Sequence, residues 1–301
     1  MRAGGWVRLS HALMVLVLWA MRSRIVLLIA AGLPLCQSVR ADLSIHFTGS
    51  IQLAPGLPPA MADAMKKQFA ASMPAAGSIR IKEGRVFSSF GAVSSLIDYA
   101  KPEITLIHAP SKSYSTIPAA EFGTQIDALM TPEGRAAMAR TKTDITTVKS
   151  GKTAVFHEVP LEESVVTISI ETPAPNGPPM QMRMEVHKWV VTAEGLARFP
   201  ELKEWDIQKS SSFGLDPATM INSLFAAGPM AEQLRKSFTG LPLKTETDVF
   251  LPAVMPGRLI ETVMEVDNFS AVPIPSSVFE VPSGYKPAPF ATLMQYLKPT
   301  P

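Results

Sequence analysis

Residues 43–53 read LSIHFTGSIQL, and their polarity alternates with a period of two. Apolar residues, beginning with Leu43 and Ile45, occupy one phase, and polar residues such as His46 occupy the other. Because successive side chains of a β-strand point to opposite faces of the sheet, this alternation predicts a strand with one buried face. The stretch therefore predicts a globular protein that is rich in β-sheet.

The residues that precede this strand have the three parts of an export signal. Two arginines form a positive start, and residues 25–36 form an apolar core that is too short to span a bilayer. Val39 and Ala41 then provide the small side chains that a signal peptidase requires. We therefore expect cleavage after Ala41 and a mature protein in the periplasm or outside the cell.

Residues 1–41 are thus interpreted as a signal peptide whose true start is Met21, because a single helix through residues 13–36 would bury Arg22 and Arg24. The alternative is an uncleaved membrane anchor. Acylation of Cys36, the only cysteine, is disfavoured because that processing requires a small residue before the cysteine and Leu35 stands there.

Removal of the signal changes the net charge of the protein. The signal contains five of the 28 basic residues and none of the 26 acidic residues, so the mature charge is about −3 rather than +2. No cluster of basic and aromatic residues remains, which excludes nucleic acid as an expected partner. The mature chain has no cysteine, and therefore no disulfide and no thiolate nucleophile.

The remainder of the chain, residues 42–301, is expected to form one domain because no repeat or clear linker interrupts it. Alternating or short apolar runs separated by turn residues predict a series of strands, and apolar residues at helical spacing predict a few helices. Strands are predicted at 79–82, 85–90, 94–99, 104–108, 113–117, 143–149, 152–158, 165–171, 180–191, 243–250 and 258–266, and helices at 57–73, 119–130, from 131 onward and at 216–239. Ser150-Gly151 is interpreted as a turn between two of these strands.

No sequence motif for catalysis or for a metal site is found in the mature chain. Its four histidines lie in predicted strands without further ligands at metal-binding spacing. His187 stands two residues after Glu185, but a single imidazole and a carboxylate on a strand are typical of a solvated face. We therefore expect no catalytic residue, no metal and no cofactor.

Methionine is the most informative residue type, because 13 methionines remain after processing and several lie on apolar faces. Flexible, polarisable methionine side chains fill irregular gaps in ordinary cores. The same properties suit the wall of a cavity that accepts lipid-like ligands. Both interpretations stay open at this point.

Four segments of the chain resemble exported β-rich domains related to the LolA-type lipoprotein carriers. They are KSYSTIP at 112–118, MRMEVHKWV at 182–190, GLPLKTE at 240–246 and VFEVPSGYK at 278–286. The resemblance implies an α+β fold in which a curved antiparallel sheet, a half-barrel, has helices covering its concave face around an apolar cavity. In LolA-type carriers such a cavity accepts acyl chains.

The expected function is therefore non-catalytic binding of a lipid or lipoprotein acyl chain in this cavity, under a lid formed by residues 57–73 and 216–239. No stable membrane span is expected after processing. An envelope structural or stress-related module without a ligand is the alternative, and an envelope hydrolase is a further one. The expected ligand-binding residues are Met182, Met184, Met220, Leu224, Phe225 and Met264.

Export should remove the chain through Ala41, because the charged, apolar and cleavage regions are complete there. N-terminal sequencing of the protein isolated from the cell envelope should give a first residue of Asp42. A product that begins near residue 1 and stays in the membrane fraction would contradict the signal-peptide interpretation.

Overall fold

The computed structural model describes residues 42–72, 75–129, 131–173, 178–203 and 236–296. Within these residues the chain forms one sheet of twelve strands. The strands are β1 Leu43–Leu53, β2 Ala76–Lys82, β3 Arg85–Phe90, β4 Val93–Asp98, β5 Glu103–His108, β6 Ser113–Pro118, β7 Lys142–Phe156, β8 Val159–Thr172, β9 Met180–Val191, β10 Pro242–Phe250, β11 Arg258–Ser270 and β12 Lys286–Pro287. The predicted strands are thus confirmed, with shifts at their ends.

Strand β1 lies near the middle of the sheet, and the chain builds outward from it on both sides. The order is β12-β6-β5-β4-β3-β2-β1-β11-β10-β9-β8-β7. Strands β2 to β6 form an antiparallel meander to one edge. The chain then passes to the opposite edge and returns through β7 to β11, which pairs with β1. The predicted meander of short neighbouring strands is confirmed.

The expected fold class, a half-barrel of curved antiparallel strands with helices over its concave face, is wrong. The sheet is open, with β7 and β12 at its two edges. It is also mixed, because β12 pairs with β6 in parallel. The parallel pair arises because residues 271–285 carry the chain from β11 back to the β6 edge. The structure shows no layer of helices over a concave face among the described residues.

The helices of the described residues are few and short. They are α1 Pro59–Ser72, α2 Phe122–Ala128, α3 Pro132–Arg140, α4 Ala193–Arg198 and α5 Phe290–Tyr296, with 3-10 turns at Ala119–Glu121 and Ser276–Phe279. None of them has the length and apolar character needed to cross a bilayer. The predicted helix at 216–239 falls mostly outside the described residues.

The expected turn at Ser150-Gly151 is also wrong, because β7 continues through it. Gly151 has a φ of +78° and lies in a bulge between Lys149 and Thr153. The chain turns instead at His157 and Glu158, whose φ values are +48° and +64°. A two-residue hairpin turn with positive φ at both positions is of type I′, which usually contains Asn, Asp or Gly, so this turn has no sequence signature.

Two apolar cores form on the sheet. Core 1 is the larger and contains the buried face of β1 to β6, where Leu43, Ile45 and Ile104 have no exposed surface. Helices α2 and α5 pack on core 1 and bring Phe122 and Phe290 together edge to face, 5.6 Å apart. Core 2 contains Leu57, Val166, Ile168, Ile170, Met182, Met184, Val186, Leu251, Leu259 and Ile260.

Strands β8 and β9 take part in both cores, and they use opposite faces to do so. In β8, the odd-numbered Val159 and Leu161 belong to core 1, whereas the even-numbered Val166 and Ile168 belong to core 2. Since neighbouring residues of a strand point to opposite faces, the buried face changes part-way along the strand. The other face beside core 2 is left for polar residues.

Truncation of Phe47 tests the assignment of the buried face of β1. Phe47 is 7% exposed in core 1, so Phe47→Ala should lower the free energy of unfolding by about 3 to 5 kcal/mol. Thr48→Ala, at the exposed neighbouring position, should change it by no more than about 0.5 kcal/mol. Urea unfolding measures both, and a loss below about 1 kcal/mol for Phe47→Ala would mean that this face is not buried.

Candidate functional site

The structure brings together two of the six predicted ligand-binding residues. Met182 and Met184 lie side by side on β9 in core 2, 9% and 4% exposed. Met264 lies on β11, half-buried, between Thr245 and Gly49 of the adjoining strands, and is not part of core 2. The other predicted residues, Met220, Leu224 and Phe225, lie outside the described residues.

Core 2 is rich in methionine beyond the two predicted positions. Half-buried methionines from helix α1, from the start of β9 and from the loop after β10 pack against its buried centre. The six methionines of this layer are Met61, Met65, Met180, Met182, Met184 and Met255. The part of the predicted lid that α1 represents therefore packs against core 2, the core that contains the predicted Met182 and Met184.

The end of the second predicted lid segment also contacts this region. Phe238 packs against core 2. The Nζ atom of Lys188, which is 2% exposed, donates a hydrogen bond to the backbone carbonyl of Ser237 at 2.6 Å and lies 4.9 Å from the centre of the Phe238 ring. These contacts fix residues 237–238 against β9.

The opposite face of the same strands is polar. Residues that pair across β8 to β11 form rows, and one row places Thr167, Glu185, Asp248 and Glu261 next to one another. The adjacent row contains His187 between Val165 and Glu246. These residues alternate with those of core 2, so the polar face is the reverse side of the methionine-rich one.

The bulge of β7 places two side chains on a buried carboxylate at the end of this polar face. Residues 150–152 oppose the single residue Glu163 of β8, because Lys149 pairs with Ser164 and Thr153 with Glu162. Ser150 donates a hydrogen bond to Glu163 Oε2, and Lys152 Nζ lies 3.1 Å from the same oxygen. Glu163 is 3% exposed, so these contacts satisfy a carboxylate that water does not reach.

The other oxygen of Glu163 contacts a histidine. Its Oε1 lies 2.9 Å from Nδ1 of His187 on β9. Burial raises the pKa of Glu163, but hydrogen bonds from Ser150, His187 and Lys152 outweigh this effect and hold the pKa below its ordinary value. Glu163 is therefore an anion at neutral pH, and it fixes the orientation of the His187 ring.

His187 also belongs to a group that can hold a metal ion. One ligand atom each from Glu185, His187 and Asp248 lie within 4.8 Å of one another. Arg183 forms an ion pair with Glu185 at 3.0 Å, and Arg258 forms one with Asp248 at 3.0 Å. The expectation of no metal site rested on the spacing of ligands around each of the four histidines. Asp248 is distant in sequence from Glu185 and His187, and no local signal could have placed it beside them.

A second histidine cluster lies at the β5–β6 turn. His108 Nδ1 and Ser111 Oγ are 2.7 Å apart, and the His108 ring stacks on Tyr296 with centroids 4.0 Å apart. A serine protease-like triad needs a carboxylate on the second ring nitrogen, and no described carboxylate bonds to His108. Ser111 also hydrogen-bonds to Ser113, so this group stabilises the turn.

The comparisons with known proteins leave the family open. No protein-family model matches the chain, and no curated protein is similar to it. A structure of PNGF-II aligns with 85% of this chain and 32% of its own, at 9% identity and a TM-score of 0.33, so this chain spans about a third of that protein's length. A DUF1329 family protein from Desulfovibrio piger aligns with 81% of this chain and 91% of its own, at 7% identity and a TM-score of 0.25.

Both TM-scores are below 0.5, so neither similarity establishes a shared fold. Of the LolA-type resemblance, the β-rich architecture is confirmed by the sheet itself. The structure corrects the two other features that the resemblance implied, the antiparallel half-barrel and the helices over its concave face.

The pH dependence of stability tests the environment of His108. Burial lowers the pKa of His108, so the unfolded chain takes up a proton at this residue near pH 6.5 while the folded chain resists it. Stability should therefore fall as the pH decreases from 7 to 5. His108→Phe keeps an aromatic ring against Tyr296 and should lose less stability over this interval in urea unfolding. An equal loss in both proteins would contradict the assignment.

Proposed function

We propose that the protein is an exported, non-catalytic binding protein that holds an apolar ligand, such as an acyl chain, between helix α1 and the sheet at core 2. The observation that carries this proposal is the methionine layer, in which six methionines come from α1, β9 and the loop after β10. Methionine side chains adapt to ligands of different shape because they are unbranched and polarisable.

Helix α1 is suited to act as the movable cover of this site. Among residues 59–66 of α1, whose side chains the structure describes, the contacts with core 2 are made by Met61, Ala62 and Met65, all of which are half-buried. Segments with few buried apolar contacts open at low free-energy cost. Separation of α1 from core 2 would therefore expose an apolar surface without disturbing the hydrogen bonds of the sheet.

Burial of an acyl chain provides binding energy that can offset the cost of this opening. Burial of a methylene group contributes about 0.8 kcal/mol, so about ten methylenes contribute about 8 kcal/mol. This is the scale of a micromolar dissociation constant before the cost of opening is subtracted.

Export through a signal peptide is part of the proposal, and the start of the described chain supports it. The carboxylate of Asp42 accepts hydrogen bonds from Lys82 Nζ at 3.0 Å and from the backbone N–H of Ile274 at 2.6 Å. The first residue of the expected mature protein is thus fixed to the sheet, so the folded domain does not need residues 1–41 for these contacts.

The second candidate is a structural envelope module without a ligand. The centre of core 2 favours it, because Val166 and Ile168 are as completely buried as residues of any packed core. In that case the methionines fill gaps between α1 and the sheet, and the layer does not open.

A charged substitution in the cover separates the two candidates. Met65→Lys should weaken binding of a fluorescent fatty-acid probe by about tenfold or more, since it places an ammonium group in the apolar layer. Met294→Lys is the matched control, because Met294 is also half-buried on a short helix but packs against core 1. It should leave probe binding unchanged within about twofold.

Circular dichroism and thermal unfolding should show that both variants keep the sheet. A wild-type protein that binds no fatty-acid probe would contradict the binding function and leave the structural module. Equal binding by wild type and Met65→Lys would contradict the location of the site under α1.

A further inference from the structure

Two carboxylates face each other across strands β9 and β10 on the polar face. Glu185 pairs directly with Asp248 in the register of these strands. Like charges at directly opposed positions of a sheet destabilise it. Arg183 and Arg258, which pair with these carboxylates, offset this repulsion, and a bound cation would offset it as well.

A histidine completes this group at the right distance for a metal ion. His187 is on the same face of β9 as Glu185, two residues further along. One ligand atom from each of Glu185, His187 and Asp248 lies within 4.8 Å of the other two. Atoms at this separation can approach a common cation through small side-chain rotations.

The orientation of His187 is fixed by a residue outside this group. Glu163 Oε1 lies 2.9 Å from Nδ1 of His187, and Glu163 is itself fixed by Ser150 and Lys152 of the β7 bulge. A hydrogen bond from Nδ1 to a buried carboxylate leaves Nε2 as the nitrogen with a free lone pair. Metal-binding histidines usually have such a carboxylate partner, which sets their tautomer and ring orientation.

We propose that Glu185, His187 and Asp248 form a binding site for a divalent transition-metal ion, with Glu163 as the positioning residue behind His187. The ligand set is one imidazole nitrogen and two carboxylate oxygens. Imidazole favours ions such as Zn²⁺ over Mg²⁺ and Ca²⁺, which prefer oxygen ligands alone. Three protein ligands leave room for at least one water molecule on a four-coordinate Zn²⁺.

The arginines beside the site do not prevent binding. Arg183 and Arg258 have half-exposed side chains, 50% and 45%, and each contacts one oxygen of its carboxylate. Ion pairs of half-exposed arginines contribute modestly to stability. When a cation takes their place, Arg258 keeps Glu261 as a partner at 2.9 Å, and Arg183 keeps the Phe250 ring, whose centre lies 4.3 Å from its guanidinium carbon.

This site is independent of the proposed apolar site. Glu185 and His187 alternate along β9 with Met184 and Val186 of core 2, so the two groups lie on opposite faces of the sheet. A metal ion bound on the polar face would join β9 and β10 without entering the methionine layer. Its presence can therefore be tested without knowledge of any apolar ligand.

Calorimetric titration of the full, untagged protein with ZnCl₂ tests the proposal. Wild type should bind one Zn²⁺ ion per chain. His187→Ala and Asp248→Asn should each weaken binding at least about tenfold, and Glu163→Gln should weaken it by about 10- to 100-fold, as is usual for carboxylates behind a metal-binding histidine. His46→Ala is the matched control, because His46 is exposed on β1 of the same sheet, and it should bind as wild type does.

Thermal unfolding distinguishes loss of the site from loss of the fold. Without metal, Glu163→Gln and Asp248→Asn should remain folded, and ZnCl₂ should raise the melting temperature of wild type more than that of either variant. The proposal is overturned if wild type binds no Zn²⁺, or if His187→Ala and Asp248→Asn bind it as tightly as wild type does. Mg²⁺ binding that persists in His187→Ala, with no Zn²⁺ binding, would also overturn it.

Discussion

The buried face changes part-way along β8 and β9. The positions of the two cores, of the helices that cover them and of the polar face follow from this change. At one end of these strands, odd-numbered residues such as Leu161 and Val191 enter core 1; at the other, even-numbered residues such as Ile168 and Met184 enter core 2. Because side chains alternate strictly between faces, a single sheet then needs apolar cover on opposite sides at its two ends. Helix α4 contacts both strands and contributes Leu196 to this cover for core 1, and α1 contributes to it for core 2.

Both proposed sites follow from this arrangement. Where core 2 occupies one face, the reverse face carries the half-buried Glu185, His187 and Asp248. Where the buried face changes, Glu163 follows Leu161 of core 1 on the same face of β8, and it contacts His187 of the polar face. Its carboxylate is therefore both buried and ionised. The bulge at Gly151 stabilises the buried carboxylate, because it brings Ser150 and Lys152 into contact with Glu163. The methionine layer and the proposed metal-binding group thus lie on opposite faces of the part of the sheet formed by β8 to β11.

The sequence predicted what depends on local pattern and missed what depends on pairing. The strands and helix α1 were predictable because alternation and helical spacing are visible within a dozen residues. Met182 and Met184 were predictable as neighbours for the same reason. The turn at His157 and Glu158 was not, because neither residue type indicates positive φ. The register that places Asp248 beside Glu185, and Glu163 beside His187, joins residues far apart in the chain. The open sheet with its parallel edge strand could not be inferred from short segment resemblances.

A single-cysteine scan along β8 tests whether the buried face changes part-way along this strand. The chain has only Cys36, in the expected signal peptide, so each introduced cysteine reports its own accessibility to a thiol reagent. Cysteines at the buried positions 159, 161 and 163, and then 166, 168 and 170, should react slowly with the thiol reagent. Cysteines at positions 162, 164, 167 and 169 should react faster. The phase of protection should therefore change between residues 163 and 166. One unbroken phase of protection from 159 to 171 would contradict the change of buried face.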